Sequence, residues 1–486
     1  MKRAFSLLVA SSVVASIAAC GDSTSTPAPL QDASIAPDTS TTDAPLPDGG
    51  GDAAVPPAHV TIAGRFARSA LPLRDGAWAI LTERPRSIRD PAALDPDRAL
   101  AWVGANGVIE GFAQPPAGRA LLDAVVHPSG EVTVLHASSE GFFFGRYGID
   151  RKPKSYFHLV DPAIVSDPPA IGPGESKSPI EEHAHDVGRI AADDEGVVLA
   201  TRTGRHSVVA YRVAFANGAY AVASRTLVVP AHPIYPVGLT GGTYDTFGQL
   251  DAHYIVHVVR GASGTAWVAT SHARAESGEM VRAHEEVFGE SLVTDPDGLD
   301  LFVSRIAKDG TRLGTSVVST PNDDQLFGLR AIGDSAYAVG RTEHWNAQGT
   351  GFDALVARID ASGVVNVREL DVDRGDIAFD VAGAPDAGIV VVGASGYSQN
   401  PHGASISEHS TAFARWIHVD GTITAIDVPN GPRHNEARFV LSLGGGSHAS
   451  VTYRIGGMHD GPGTHSADGD LSLLRADGFV MIGRGK

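Results

Sequence analysis

The chain has 486 residues, a formal net charge of −18 and one cysteine, Cys20. This length is sufficient for a large hydrophobic core. The acidic balance argues against binding to nucleic acid and against electrostatic docking on anionic lipid. The single cysteine excludes an intramolecular disulfide and a cysteine-based zinc site.

Residues 1–19 are typical of an export signal. Lys2 and Arg3 precede an uncharged apolar run at 4–19, which is too short to cross a bilayer as a mature helix. The tetrapeptide Ile17-Ala18-Ala19-Cys20 resembles the lipobox of bacterial lipoproteins. That resemblance implies cleavage before Cys20, lipidation of its thiol and attachment to a membrane of the bacterial cell envelope. The choice between inner and outer membrane stays open, and a plain secretory signal that happens to contain a cysteine is the alternative.

Residues 20–58 predict a lipidated, disordered tether. The segment 21–58 contains seven prolines and six aspartates but neither lysine nor arginine. Its apolar residues are too few to form a core, so no packed structure is expected there.

An internal repeat is visible from His59 to the end of the chain, and it is clearest in the second half. Its copies include "DLFVSRIAKDG" from Asp300, "DALVARIDASG" from Asp353 and "DLSLLRADG" from Asp470. A period of nearly sixty residues indicates a propeller, a solenoid or a similar array. Most copies end in a glycine suited to a tight hairpin turn, namely Gly107, Gly218, Gly310, Gly363, Gly421 and Gly478. Most copies also carry an arginine at a fixed place, for which we expect a packing role: Arg146, Arg212, Arg305, Arg358, Arg415 and Arg475.

Each repeat predicts four short strands, which we label A to D from first to last. Strand C is apolar on both faces in residues 354–359, so it should be buried on both faces. Such units bury both faces when they close into a ring, which predicts an all-β fold for residues 59–486: a seven-bladed β-propeller of four-stranded antiparallel blades. Residues 59–66 predict one strand more than seven four-stranded blades need. This strand is expected to clasp the first and last blades, either as an outer strand added to the last blade or in place of "GFVMIGR" there.

The repeat pattern around Asp353, Arg358 and Gly363, with Asp376 and Gly393 after it, resembles bacterial delta-60 and related seven-bladed propeller repeats. The resemblance is good over 300–486 and looser over 68–299. It implies the propeller fold and a cell-envelope setting. That family supplies no catalytic residues to transfer.

The B–C and D–A connections should share one end of the propeller, and the long insertions fall there. Many histidines fall there too, and imidazole and carboxylate groups are ligands for zinc, copper or nickel. The sequence therefore places a possible divalent metal site in "EEHAHD" and "MHDGPGTHSADGD", with these ligands: His183, His185, Asp186, His459, Asp460 and His465. The alternatives are His344, His402 and His409. Ordinary polar loop residues are the competing interpretation.

No motif of a known catalytic class is present, and no organic cofactor is predicted. The preferred function is a cell-envelope lipoprotein that presents its propeller as a binding or scaffold module for a protein or glycan ligand. An envelope hydrolase or lyase with its site on the loop-rich end is the alternative. An enzyme would require several histidine, aspartate or glutamate side chains to converge.

Overall fold

A computed structural model of the protein describes much of the chain between residues 59 and 484. The described segments are 59–62, 66–83, 98–113, 119–138, 140–161, 188–193, 196–203, 207–231, 256–272, 274–294, 300–346, 349–384, 387–396, 398–399, 405–406, 410–428, 430, 434–443, 452–461 and 477–484. The predicted signal, Cys20 and the predicted tether lie outside the described residues. None of the helices within these segments is both long and apolar enough to cross a membrane.

Six complete blades are each formed by one uninterrupted segment of chain, in the order A to D. Blade 1 contains β2 (Phe66–Pro72), β3 (Trp78–Glu83), β4 (Ala99–Val103) and β5 (Ile109–Ala113), and blade 2 contains β6 (Ala120–Val126), β7 (Val132–Ser138), β8 (Gly141–Tyr147) and β9 (Pro153–Leu159). Blade 3 contains β10 (Gly188–Asp193), β11 (Gly196–Arg202), β12 (Val208–Ala216) and β13 (Ala219–Val229), and blade 4 contains β14 (Val256–Arg260), β15 (Ala266–His272), β16 (Asp300–Ile306) and β17 (Arg312–Val318). Blade 5 contains β18 (Asp323–Ile332), β19 (Ser335–Asn346), β20 (Gly349–Asp360) and β21 (Gly363–Leu370), and blade 6 contains β22 (Ile377–Gly383), β23 (Ile389–Ser395), β26 (Thr411–Ile417) and β27 (Ile423–Ile426). A short hairpin of β24 (Ser398–Gln399) and β25 (Ser405–Ile406) lies between strands B and C of blade 6.

A further four-stranded sheet is composite, because it combines strands from both ends of the described chain. Its strands are β28 (His434–Leu443), β29 (Thr452–Gly461), β30 (Asp477–Arg484) and β1 (His59–Ile62). The innermost strands contact one another in a closed cycle, from β2 through β6, β10, β14, β18, β22 and β28 back to β2. The prediction of an all-β propeller of four-stranded antiparallel blades is therefore confirmed.

The prediction of a seven-bladed propeller is wrong in its blade count, because only six blades are each formed by one continuous segment. Six repeats are self-contained. Asp477 and Gly478, predicted as the last hairpin turn, instead begin strand β30, which includes the "GFVMIGR" segment. This strand is the third of its sheet, and His59–Ile62 pairs antiparallel with it as the fourth. The physical reason is that β30 would otherwise expose an unpaired edge, which the N-terminal strand covers.

The hydrophobic core lies between adjacent blades, and this explains the strand patterns. Every residue of strand C from Ala354 to Ala357 is buried, since the strand packs against neighbours on both faces. Strand D, by contrast, is largely exposed, as Val364, Val365 and Val367 are in blade 5. Its exposure therefore follows from its position at the outer rim of the sheet.

A glycine in strand B marks the place where strand A bulges. Gly340 pairs with Leu326, and Gly393 pairs with Ala378, and strand A shifts register immediately after each of these residues. A Cβ at Gly340 would lie 1.7 Å from the Gln325 carbonyl oxygen, and one at Gly393 would lie 2.0 Å from the Ile377 carbonyl oxygen. Only glycine fits this close backbone approach.

The repeated arginines stabilise the blades, as expected. Arg146 is fully buried, donates to a Glu131 carboxylate oxygen over 2.6 Å and lies over the Phe215 ring of the next blade. Arg212 pairs with Asp193 of its own blade. The described members of the set therefore have packing and pairing roles, and Arg475 lies outside the described residues.

Helix α1 (Arg274–Phe288), between strands B and C of blade 4, was not predicted. Met280, Ala283 and His284 are buried at helical spacing, and this face holds the helix on its blade. Glu290 accepts two hydrogen bonds from Arg312, each 2.6 Å long. Burial alone would raise the pKa of Glu290, but its bonds to His284 and Arg312 lower it to about 2. Such a short amphipathic pattern, surrounded by strand repeats, is hard to detect in the sequence.

Candidate functional site

The two ends of the propeller differ in their connections, as the sequence predicts. The described A–B and C–D connections are tight turns, with a positive φ at Gly107, Gly130 and Gly310 among others. Helix α1 and the β24–β25 hairpin belong to B–C connections at the opposite end. We call this opposite end the loop-rich end.

Blade 5 brings a histidine and two carboxylates together at the loop-rich end. The His344 Nε2 atom lies 3.1 Å from Asp353 Oδ2 and 3.3 Å from Glu369 Oε2. Strand register explains this placement, because His344 pairs with Gly351 in strand C, and Leu355 in strand C pairs with Glu369 in strand D. Since side chains alternate along a strand, His344, Asp353 and Glu369 face the same side of the blade.

Two more aspartates extend this group from the connection between blades 5 and 6. Carboxylate oxygens of Asp353, Asp371 and Asp376 lie within 4.8 Å of one another. The backbone N–H of Asp376 donates to the Phe352 carbonyl oxygen over 2.8 Å, which fastens the connection to the hairpin of blade 5. We call His344, Asp353, Glu369, Asp371 and Asp376 the blade 5 cluster.

Asp376 is the most deeply buried member of the blade 5 cluster, with no exposed surface. Its Oδ2 atom accepts hydrogen bonds from the backbone N–H groups of Val372 (2.6 Å) and Asp373 (3.1 Å). Burial raises the pKa of Asp376 to about 6; those two bonds oppose the rise, and the charges of Asp353 and Asp371 add to it. The cluster therefore places one buried carboxyl, Asp376, beside half-buried Asp353 and exposed Glu369 and Asp371.

Asp324 is a second buried carboxyl group of blade 5, located near the start of strand A. Its oxygens accept hydrogen bonds from the backbone N–H (2.7 Å) and the hydroxyl (2.8 Å) of Thr320. Burial raises its pKa to about 7. These bonds close the connection that leads into strand A, so Asp324 has a structural role.

Most of the predicted metal ligands are not tested by the structure. His183, His185, Asp186 and His465 lie outside the described residues, as do the alternatives His402 and His409. His459 and Asp460 were expected in a loop, but they fall on strand β29, where His459 pairs with Asp477. The hairpin is longer than the repeat pattern indicated. Of the alternatives, His344 belongs to the blade 5 cluster.

The carboxylates of the blade 5 cluster were missed as possible ligands. Asp353 and Asp376 were interpreted only as markers of the repeat, and Glu369 and Asp371 were not singled out. The alternation of side chains along strands B, C and D indicates which residues share a face of the blade. Placing His344, Asp353 and Glu369 beside one another also requires the register between the strands. The cluster comes from one blade and the connection that follows it, so its side chains do not converge from several blades.

Comparisons with known proteins show no match to a protein-family model and no match among curated proteins. Solved structures with similarity include Drosophila Plexin A in complex with Semaphorin 1b, at 10% identity and a TM-score of 0.42, with 87% of this chain and 86% of that chain covered. A protein from Lactobacillus plantarum has 13% identity and a TM-score of 0.39, with 88% and 99% covered. Sqt1 from Saccharomyces cerevisiae has 9% identity and a TM-score of 0.38, with 87% and 97% covered. At these levels the similarity carries no functional argument, and the propeller assignment is based on the sheets of this chain.

Proposed function

We propose that this protein is a lipid-anchored binding module of the bacterial cell envelope, and that it binds a protein or glycan ligand at the loop-rich end of its propeller. The difference between the two ends is the observation that carries this proposal. Tight turns occupy one end, whereas helix α1, the β24–β25 hairpin and the blade 5 cluster lie at the other. Repeat proteins commonly place such additions on the face that binds.

The proposal requires the membrane anchor to hold the propeller without occupying its binding face. A tether of the predicted length, 20–58, is a flexible spacer of proline-rich and acidic composition. The net charge of −18 does not favour adsorption to anionic lipid. Acyl chains on Cys20 would then supply the attachment, which leaves the loop-rich end available to a ligand.

Photo-cross-linking on intact cells tests which end binds. The chain offers matched valines, since Val287 and Val293 are exposed at the loop-rich end, and Val108 and Val419 are exposed in tight turns of the other end. A benzophenone side chain placed at each position reacts with nearby C–H bonds of protein or glycan. We expect adducts of higher mass from Val287 and Val293 and none from Val108 and Val419, as resolved by electrophoresis and mass spectrometry.

Adducts of equal yield from both ends, or from the turn end alone, would contradict the proposal. Thermal melts of the four labelled proteins provide the control for folding. All four positions are exposed valines, so their melting temperatures should agree closely with that of the unlabelled protein.

The anchor has a separate test at Cys20. Because the chain has no other thiol, Cys20→Ala should abolish incorporation of labelled palmitate and release the protein from the membrane fraction. Thioether lipidation requires the thiol as nucleophile, so Cys20→Ser should behave as Cys20→Ala does. Palmitate incorporation that persists in both variants would show that this protein is anchored by other means.

A further inference from the structure

We propose that the blade 5 cluster binds a divalent transition-metal ion of the zinc class, with His344, Asp353 and Glu369 as ligands. In this arrangement Asp371 and Asp376, whose carboxylate oxygens lie within 4.8 Å of those of Asp353, add negative charge around the ion. The site differs from the histidine-rich loops that the sequence singled out, and it does not depend on the proposed ligand binding.

The spacing of the donor atoms matches that of ligands on one ion. Zinc bonds to imidazole nitrogen and carboxylate oxygen are about 2.0–2.2 Å long, so tetrahedral ligands stand about 3.3 Å apart. The His344 Nε2 atom lies 3.1 Å from Asp353 Oδ2 and 3.3 Å from Glu369 Oε2. Three protein ligands with one open position are typical of a zinc site that also binds water or another ligand.

Two buried atoms of the cluster have no hydrogen-bond partner among the described residues. His344 Nε2 meets neither neighbouring carboxylate with hydrogen-bond geometry. Asp376 Oδ1 is also without a partner, although the residue has no exposed surface and its Oδ2 atom is satisfied. Buried polar atoms are usually paired, because each unpaired one costs about 1–3 kcal/mol. A cation bound at His344 Nε2 and the field it creates at Asp376 account for both atoms.

The charges around the cluster also favour a cation. Four carboxylates lie within it, and the oxygens of Asp353, Asp371 and Asp376 are within 4.8 Å of one another. Arg415 of blade 6 acts on Asp376 electrostatically, but its guanidinium donates to the Ala414 carbonyl oxygen over 3.0 Å. One arginine does not balance four carboxylates, so a divalent ion would remove most of the remaining repulsion.

The imidazole selects the class of ion. Calcium and magnesium prefer oxygen ligands alone, whereas zinc and its neighbours accept nitrogen. A ligating histidine needs its second nitrogen held by a partner, and the Asn322 amide nitrogen Nδ2 lies 3.2 Å from His344 Nδ1, where exchanging the amide nitrogen and oxygen would place an acceptor. With its amide oxygen turned toward Nδ1–H, Asn322 would keep the Nε2 lone pair available for the metal.

Zinc titration of the full-length chain provides the test, with Cys20→Ser in every sample so that the thiol does not bind the probe. Zinc chloride is the probe, and calorimetry counts the equivalents bound per chain. We expect His344→Ala and Asp353→Asn each to lose one zinc equivalent relative to the reference protein. At zinc concentrations 100-fold above the dissociation constant, that equivalent should raise the melting temperature of the reference by about 3 °C.

Matched variants separate this site from other histidines. His418→Ala changes a histidine in a tight turn at the opposite end, so it should bind as many zinc ions as the reference. The double variant His183→Ala, His185→Ala tests the histidine-rich loop "EEHAHD". It should still bind the zinc equivalent that His344→Ala loses. Melting in EDTA shows whether each variant is folded, and Asp376→Asn should stay folded there because its amide oxygen still accepts from Val372 and Asp373.

The proposal is overturned if His344→Ala and Asp353→Asn, both folded in EDTA, bind as many zinc ions as the reference. It is also overturned if calcium raises the melting temperature through these residues and zinc does not, since the imidazole would then have no role.

Discussion

Replacing Ile62 by aspartate is expected to destabilise the propeller strongly, because this residue is the buried last residue of the closing strand β1. Ile62 is 1% exposed and packs in one hydrophobic cluster with Trp78 and Ile80 of blade 1 and Phe439 of the composite sheet. Ile62→Ala should lower the free energy of unfolding by about 2–5 kcal/mol. Ile62→Asp should cost more, because it also buries a charge without a partner.

A matched isoleucine is available as the control. Ile423 also lies on the outermost strand of its sheet, but it is 47% exposed. Ile423→Ala should therefore change the free energy of unfolding by no more than about 0.5 kcal/mol. Urea denaturation, followed by tryptophan fluorescence and circular dichroism, measures both variants. Equal midpoints for the Ile62 and Ile423 variants would mean that the β1–β30 pairing does not close the ring.

Replacing Asp380 by alanine should have the second large effect, because this carboxylate joins three consecutive sheets. Its oxygens accept hydrogen bonds from Arg330 of blade 5 over 2.7 and 2.8 Å, and Oδ2 also accepts from the backbone N–H of Val440 in the composite sheet over 3.0 Å. Removing one partner of a buried ion pair costs about 3–5 kcal/mol. We expect Asp380→Ala to lower the free energy of unfolding by an amount near the lower end of that range, since Arg330 retains some contact with solvent.

Two further variants show whether the interblade bonds cause this loss. Asp380→Asn keeps an oxygen that accepts from the Val440 N–H. Its free energy of unfolding, measured by urea denaturation, should therefore lie between those of the wild type and Asp380→Ala. Asp427→Ala removes an exposed aspartate from the same blade and should be nearly neutral. If Asp380→Ala unfolds at the same urea concentration as Asp427→Ala, the bridge contributes nothing to stability.

A second aspartate of strand A forms an equivalent hydrogen bond to the next sheet, and the sequence analysis did not predict either bond. Asp123 of blade 2 accepts a hydrogen bond from the backbone N–H of Ile190 in blade 3 over 3.0 Å. Asp123 and Asp380 both follow the bulge in strand A. Strand A alone shows only an acid in an apolar run, and the backbone N–H that it bonds in the next sheet is 60 or more residues away. The function of such an acid becomes visible only when neighbouring blades are placed side by side.

Local patterns predicted the parts of the fold that depend on local chemistry. Asn217-Gly218 and Asp309-Gly310 were predicted as turns, and both glycines have the positive φ such turns need. Strand C was predicted to be buried from its two apolar faces, and Ala354–Ala357 are all buried. Helix α1 was missed because its buried face has only Met280, Ala283 and His284, which is too weak a signal beside the strand repeats.

The sequence by itself determined the repeat, the four-stranded unit and the end of the propeller that carries the long connections. These features follow from strand alternation and turn chemistry, which act over a few neighbouring residues. The sequence also predicted that residues 59–66 clasp the ring, but it left two arrangements open. Only the tertiary structure decided that His59–Ile62 adds an outer strand beside Asp477–Arg484, because these segments are far apart in sequence and pair through backbone groups that any residue carries. Only the tertiary structure also assembled the blade 5 cluster, since cross-strand register brings His344 to Asp353 and Glu369. Register is selected by the packing of whole sheets, and no single strand contains that information.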